Sequence, residues 1–104
     1  MHTKYLTFSK DPNFFETALS IKEFVHWRII NNNFPYDAIT DTHHMLIPKR
    51  QAASKDDLEA EEMVEFVRIE KWLEQNYDAV MLNFPKNQSQ PHWLHYHLLD
   101  FKEV

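Results

Sequence analysis

The sequence predicts an α+β fold, in which an antiparallel sheet of about five strands is covered by one long helix, with a short helix near the N-terminus. Apolar residues recur at helical spacing over residues 55–75, whereas the segments before and after alternate at strand spacing. A chain of 104 residues, 43% of them hydrophobic, has room for one core only. We therefore expect a single domain over 1–104, with an N-terminal arm and short helix over 1–23 and a core over 24–101.

The first half of the chain is predicted to hold a short helix and three strands. Residues 5–8 are typical of a short first strand, and Asp11-Pro12 is a favourable helix start because proline suits the first helical position. Alternating apolar residues then predict a strand over 25–29, and a second apolar run predicts one over 45–47.

The long helix is predicted by its start signal and by its apolar face. Ser54 followed by Asp57 resembles a capping box, with Asp as a shorter substitute for Glu. Phe66, Ile69 and Leu73 recur at helical spacing, so one side of this helix is expected to pack on the sheet. Two further apolar stretches, 78–83 and 93–101, predict the last two strands.

Acidic charge is concentrated in the region of this helix. Residues 54–76 contain eight acidic and three basic residues, an excess that equals the net charge of −5 for the whole chain. The rest of the chain holds eight of each sign. We therefore expect no general binding of nucleic acid, whereas a site outside the helix can accept an anion.

The chain contains no glycine and no cysteine. Without glycine, the phosphate-binding loops of the P-loop and dinucleotide types are excluded. Without cysteine, disulfides, thiol nucleophiles and thiolate metal sites are excluded, so any catalysis must use His, Ser, acids or bases. The longest apolar run has four residues, at 79–82, against roughly 20 needed to span a bilayer. The N-terminus has no apolar signal region, and we expect a cytoplasmic protein without membrane association.

Histidines are the most informative residues of the sequence. Five of the seven fall in two short segments, 43–44 and 92–97. On a regular strand, His95 and His97 project from one face and His92 from the other. Two imidazoles on one face provide a nucleophile and a proton carrier near neutral pH, which suits phosphoryl chemistry.

Two other interpretations of these histidines stay open. They are common on sheet surfaces, where imidazoles bind backbone groups without a catalytic role. Alternatively, His95 and His97 together with His43 or His44 supply three nitrogen ligands for zinc. No fourth ligand or carboxylate motif accompanies them, so we expect no cofactor.

Several short segments follow one another in an informative order. They are Thr42-His43-His44-Met45-Leu46-Ile47-Pro48-Lys49-Arg50, Asn83, Gln88-Ser89 and Trp93-Leu94-His95-Tyr96-His97-Leu98-Leu99. Together they resemble the histidine-triad (HIT) superfamily, whose signature is His-φ-His-φ-His-φ-φ after a Thr-His and an Ile-Pro-Lys segment. The resemblance covers about residues 24–101 and implies a HIT-like fold.

The resemblance also implies a role for each matching residue. His95 matches the central histidine, which attacks the α-phosphorus of a nucleotide to form a nucleotidyl-histidine. His97 matches the third histidine, which contacts phosphate oxygens and helps to protonate the leaving group, and His43 matches the histidine behind the triad. The residues expected to line the substrate are Asn83, Gln88, Ser89 and Trp93. Imidazole and amide groups would then bind phosphate without a glycine loop.

One position departs from the signature, because Trp93 stands where the first histidine belongs. His92 is adjacent, but only a bulge would turn it toward His95. The resemblance implies a nucleotide hydrolase or transferase that acts on a nucleoside phosphate ester or phosphoramidate, and a nucleotide or nucleotide conjugate as partner. Because indole cannot carry protons as imidazole does, the alternatives are an inactive nucleotide-binding protein and a His-based metal-binding or interaction domain. The resemblance and the aromatic content also predict a homodimer.

Overall fold

The computed structural model describes residues 13–32, 38–84 and 91–103, and within these ranges the chain has the predicted α+β fold. The elements in chain order are α1 (Phe14–Thr17), β1 (Ser20–Glu23), β2 (Trp27–Asn31), β3 (Thr40–Pro48), a 3-10 helix (Lys55–Asp57), α2 (Ala60–Asn76), β4 (Ala79–Met81) and β5 (Tyr96–Phe101). The strands form one antiparallel sheet in the order β1-β2-β3-β5-β4. The predicted sheet and its covering helix are confirmed.

Alternating side chains divide the core between the two faces of the sheet. On one side, the helix face, α2 packs on an apolar cluster: Trp27, Ile29, Leu46, Ile69, Leu73, Leu94, Tyr96 and Leu98. On the other side, the α1 face, the short helix packs on a second cluster: Phe14, Phe15, Ile30, Met45, Ile47 and Trp93. Both sides of the central strands are therefore buried, as expected where neighbouring residues point to opposite faces.

The long helix begins later than the sequence predicts. The capping box of Ser54 and Asp57 forms, but it starts only the three-residue 3-10 helix. Leu58 then adopts an extended conformation and packs on the helix-face core, so the chain leaves the helical path. A second capping box, between Glu59 and Glu62, starts α2 at residue 60. The prediction of one helix over 55–75 is wrong at its start because two start signals follow each other.

Several strand boundaries also differ from the sequence prediction, and β3 (Thr40–Pro48) begins five residues before the predicted strand over 45–47. Residues 25 and 26 form a turn instead of a strand, because both backbone N–H groups donate to the Glu65 carboxylate at 2.9 and 2.6 Å. The β1 strand was not expected, and it joins the sheet just before the predicted core boundary at residue 24. The last strand begins at residue 96, three residues later than predicted. The predicted strand at 5–8 and the predicted helix start at Asp11-Pro12 lie outside the described residues.

Backbone conformation agrees with the absence of glycine. Within the described ranges, no residue has a positive φ and no peptide bond is cis. The described turns therefore use backbone angles that L-residues adopt without strain. No helix in these ranges combines the length and the apolar character needed to cross a bilayer.

Candidate active site

A buried pair of histidines links the two central strands on the α1 face. His43 lies on β3 and His97 on β5, and the Nε2 atom of His43 is 2.7 Å from the Nδ1 atom of His97. Asn32, just after β2, places its amide nitrogen 3.0 Å from the same Nε2 atom. All three side chains are buried, with at most 7% of their surface exposed. Asn32 is not recognisable as a site residue from the sequence, because its hydrogen-bond partner, His43, lies on another strand.

The direction of these hydrogen bonds determines which nitrogens carry protons. The Asn32 amide donates to Nε2 of His43, so this nitrogen is an acceptor. Nδ1 of His97 must therefore carry a proton and donate it to His43. The other nitrogen of His97, Nε2, is then an acceptor for the Asn83 amide at 3.3 Å. The pair is thus held as two neutral imidazoles with defined tautomers.

His95 lies immediately before β5, with its ring against that of His97. The two ring centroids are 5.3 Å apart in an edge-to-face arrangement. Nδ1 of His95 donates to the backbone carbonyl of Trp93 at 2.8 Å. Because Nδ1 carries the proton, Nε2 holds the lone pair that makes a neutral imidazole nucleophilic.

Burial keeps the charged forms of these histidines unfavourable. Burial, together with repulsion from positive charge on the neighbouring His95 and His43, lowers the pKa of His97 to about 3. Burial also lowers the pKa of His95, although the bond to the Trp93 carbonyl partly opposes this shift and His92 adds to it. Both side chains are therefore neutral in the folded protein near pH 7.

Trp93, at the first position of the signature, is buried beside these histidines. Its indole N–H donates to the carbonyl of Pro48 at 3.1 Å, and its ring stacks on Phe15 with centroids 5.8 Å apart. The Phe15 ring also lies 5.4 Å from that of His95, so α1 covers the His95 side chain. The sequence identifies Phe15 only as part of the apolar side of a helix. Its contact with His95 joins residues 80 positions apart, so no local pattern predicts it.

His92 does not face away from His95, as a regular strand would require. Residues 91–93 form a turn and a bend instead of a strand, and the backbone of Leu94 bonds to Ala52. The exposed His92 ring lies edge-on to Phe15, with centroids 6.3 Å apart, on the α1 face. This turn is an irregularity of the kind that His92 needs in order to leave the opposite face of a regular strand.

Three residues named from the sequence remain, Gln88, Ser89 and His44. Gln88 and Ser89 lie outside the described residues. His44 points to the helix face, where its Nδ1 atom is 2.7 Å from the Tyr77 hydroxyl, so it cannot join His95 and His97. Within the part of the chain that the structure describes, no group of three or more His, Asp or Glu side chains is arranged to hold a metal ion.

Comparison with solved structures shows that the five-stranded antiparallel sheet and its long helix form the fold of histidine-triad proteins. A histidine triad protein from Clostridium difficile matches with a TM-score of 0.62 and 23% identity, over 94% of this chain and 91% of that chain. A HIT family hydrolase from Legionella pneumophila matches with a TM-score of 0.63 and 19% identity, over 92% of each chain. A HIT family hydrolase from Clostridium thermocellum matches with a TM-score of 0.63 and 20% identity, over 94% and 91%.

Comparisons based on sequence alone find no match for this chain. No protein-family model matches it, and no curated protein matches it. The structural matches alone show that the fold is that of histidine-triad proteins.

Proposed function

We propose that the protein is a nucleotide hydrolase or transferase that acts on a nucleoside phosphate ester or phosphoramidate through a nucleotidyl-histidine intermediate. One observation carries the proposal: the Trp93 carbonyl holds the proton of His95 on Nδ1, so Nε2 is the nucleophilic nitrogen. Two of the similar structures are of HIT family hydrolases, which supports a hydrolytic reaction.

In the first step, Nε2 of His95 attacks the phosphorus and forms a P–N bond. The bond from phosphorus to the leaving group breaks, and the leaving group takes the electron pair and a proton. In the second step, water or another acceptor attacks the phosphorus, the P–N bond breaks, and the electron pair returns to Nε2. Hydrolysis then yields a nucleoside monophosphate and the free leaving group.

His97 and His43 hold the nucleophile in place under this proposal. Their hydrogen bond joins β3 to β5 and keeps the His97 ring against the edge of His95. Asn83 brings an amide to the margin of the cluster, where amide donors suit phosphate oxygens. Gln88 and Ser89 are proposed to line the same side, as the sequence resemblance implies.

The substitution of tryptophan at the first signature position is compatible with this chemistry. The group that fixes the tautomer of His95 is the backbone carbonyl of Trp93, which any residue at this position supplies. The indole adds a hydrogen bond to Pro48 and a stacking surface for Phe15. Loss of the first imidazole therefore removes a proton carrier but leaves the nucleophile oriented.

The test is to incubate the protein with a nucleoside phosphoramidate and to measure turnover and the mass of the peptide that contains His95. We expect a nucleotidyl adduct on His95 in the wild type, and a loss of turnover of about 10³-fold or more in His95→Ala. Trp93→Phe is the matched control, since it keeps the carbonyl and should still form the adduct. A wild type with neither adduct nor turnover would refute the proposal.

A second candidate function is nucleotide binding without turnover, and the cover over His95 favours it. The side chain is only 5% exposed, and the Phe15 ring packs against it, so a nucleotide must displace or rearrange α1 to reach Nε2. Thermal stabilisation by a nucleoside monophosphate, without any adduct from the phosphoramidate, would favour this candidate.

The homodimer stays a prediction, and zinc binding by the histidines stays an open alternative to the expected absence of a cofactor. Sedimentation of the purified protein tests the first, and metal analysis of the same sample tests the second.

A further inference from the structure

We propose that His92 is the proton carrier of the reaction, acting as general acid for the leaving group and then as general base for water. This assignment rests on the proposed function. Trp93 occupies the first signature position and cannot carry protons, and His92 is the residue directly before it.

Position is the first argument for His92. The turn at residues 91–93 brings its ring onto Phe15, the same ring that packs on His95. A positive charge on His92 also disfavours a positive charge on His95, so the two imidazoles interact electrostatically. His92 is exposed, whereas the nucleophile beside it is buried. The arrangement places an exposed imidazole on the same Phe15 ring that covers the buried His95.

The hydrogen bonds of the other histidines are the second argument. His97 directs its proton at His43 and presents an acceptor nitrogen to Asn83, so it has no proton on the Asn83 side to give to a leaving group. His95 directs its proton at the Trp93 carbonyl and reacts through the other nitrogen. The His92 imidazole is exposed, so it can exchange protons with water as a general acid and base requires.

Protons and electrons balance in both steps. Protonated His92 gives its proton to the leaving atom while the bond from that atom to phosphorus breaks and the bond from His95 to phosphorus forms. A neutral amine or alcohol leaves, and His92 is neutral. In the second step, water attacks phosphorus and gives its proton to His92, while the P–N bond breaks.

Two substrates with the same nucleotide and different leaving groups test the role of His92. A phosphoramidate of an alkylamine needs a proton on its leaving nitrogen, whereas a nitrophenyl ester releases a stable anion. His92→Gln should lower kcat/KM for the phosphoramidate by about 10²-fold or more and leave the nitrophenyl ester within about threefold. His26→Gln is the matched control, because His26 lies in a groove against α2 on the helix face.

The outcomes separate the two proposals. An equal effect of His92→Gln on both substrates, or no effect on either, overturns the role of His92. A loss specific to the phosphoramidate in Ser89→Ala, with His92→Gln unaffected, assigns the proton to Ser89 and also overturns it. If the wild type forms no adduct on His95 even with the nitrophenyl ester, the proposed function fails, and the role of His92 falls with it. With the nitrophenyl ester, an adduct that forms in His92→Gln at the wild-type rate and is then released slowly supports the second step.

Discussion

On the helix face the sheet meets a 17-residue helix through aliphatic and aromatic side chains, whereas on the α1 face it meets a four-residue helix and buries three histidines and an asparagine. Burial of polar groups costs free energy unless each is hydrogen-bonded. Within the described ranges, no buried side-chain nitrogen or oxygen lacks a hydrogen-bond partner. The helix face therefore stabilises the fold through apolar area, whereas the α1 face holds a buried, hydrogen-bonded group of histidines.

The two faces also differ in how their helices are attached. Helix α2 is long enough to bury Ile69 and Leu73, whereas a helix of four residues is too short to be stable alone. The Arg28 guanidinium secures α1 by donating to the carbonyl of Phe15 at 2.7 Å, to the carbonyl of Ala18 and to the hydroxyl of Ser20 at 2.9 Å. Phe15 thus covers His95 because one arginine holds the Phe15 backbone.

Truncation of Trp27 should have the largest effect on stability. Its ring is fully buried on the helix face, and its indole N–H donates to the Glu62 carbonyl at 2.9 Å. We expect Trp27→Ala to lower the free energy of unfolding by about 3–5 kcal/mol in urea denaturation. Val67→Ala, on the exposed side of α2, should change it by less than about 0.5 kcal/mol. A loss below 1 kcal/mol for Trp27→Ala would mean that the helix face is not the main stabilising core.

Replacement of Arg28 should have a smaller effect, confined to the α1 face. Arg28→Met keeps the apolar stem but removes the three donors, and we expect a loss of about 1.5–3 kcal/mol. Hydrogen exchange should accelerate at the amides of residues 16–18, with amides in the middle of α2 unchanged. Equal acceleration on both faces would show that α1 and α2 do not respond separately.

Acidification should weaken the α1 face through its histidines. The folded protein protonates His97 only near pH 3, whereas the unfolded chain does so near the ordinary pKa of 6.5. Between these values the unfolded state binds more protons, so the free energy of unfolding falls as the pH falls, by at most about 1.4 kcal/mol per pH unit for this group. His95 has a pKa shifted in the same direction and adds to the loss.

Urea denaturation between about pH 7 and pH 5 measures this slope, above the range in which most carboxyl groups titrate. His97→Gln should flatten it, and Val67→Ala, which removes no titratable group from the exposed side of α2, should leave it unchanged. A wild-type stability that rises on acidification over this range would contradict the buried, neutral state of His97.

Local patterns account for much of the fold, and contacts distant in sequence account for the rest. The periodicity of Phe66, Ile69 and Leu73 predicts which side of the helix packs, and the alternation around His95 predicts which face its ring takes. The β1 strand escapes prediction because Ile21, Lys22 and Glu23 are exposed at the edge of the sheet and show no alternation of burial.

The site shows the same division. The spacing of His95 and His97 is sufficient to place both on one face, but the position of His92 depends on two bonds that no local pattern contains. These bonds run from the Trp93 indole to the Pro48 carbonyl and from the Leu94 amide to the Ala52 carbonyl. A turn held by partners more than 40 residues away cannot be inferred from its own few residues.

The backbone without positive φ angles has a practical consequence for mutagenesis. In the described ranges every residue occupies angles that alanine also tolerates, so an alanine scan would measure the loss of each side chain without added backbone strain. A parallel glycine scan would then report local chain order, since each glycine should cost roughly 0.5–1 kcal/mol more than alanine inside a helix or strand. At each described position, the alanine variant would measure the contribution of side-chain packing, and the difference between the glycine and alanine variants would measure the contribution of backbone entropy.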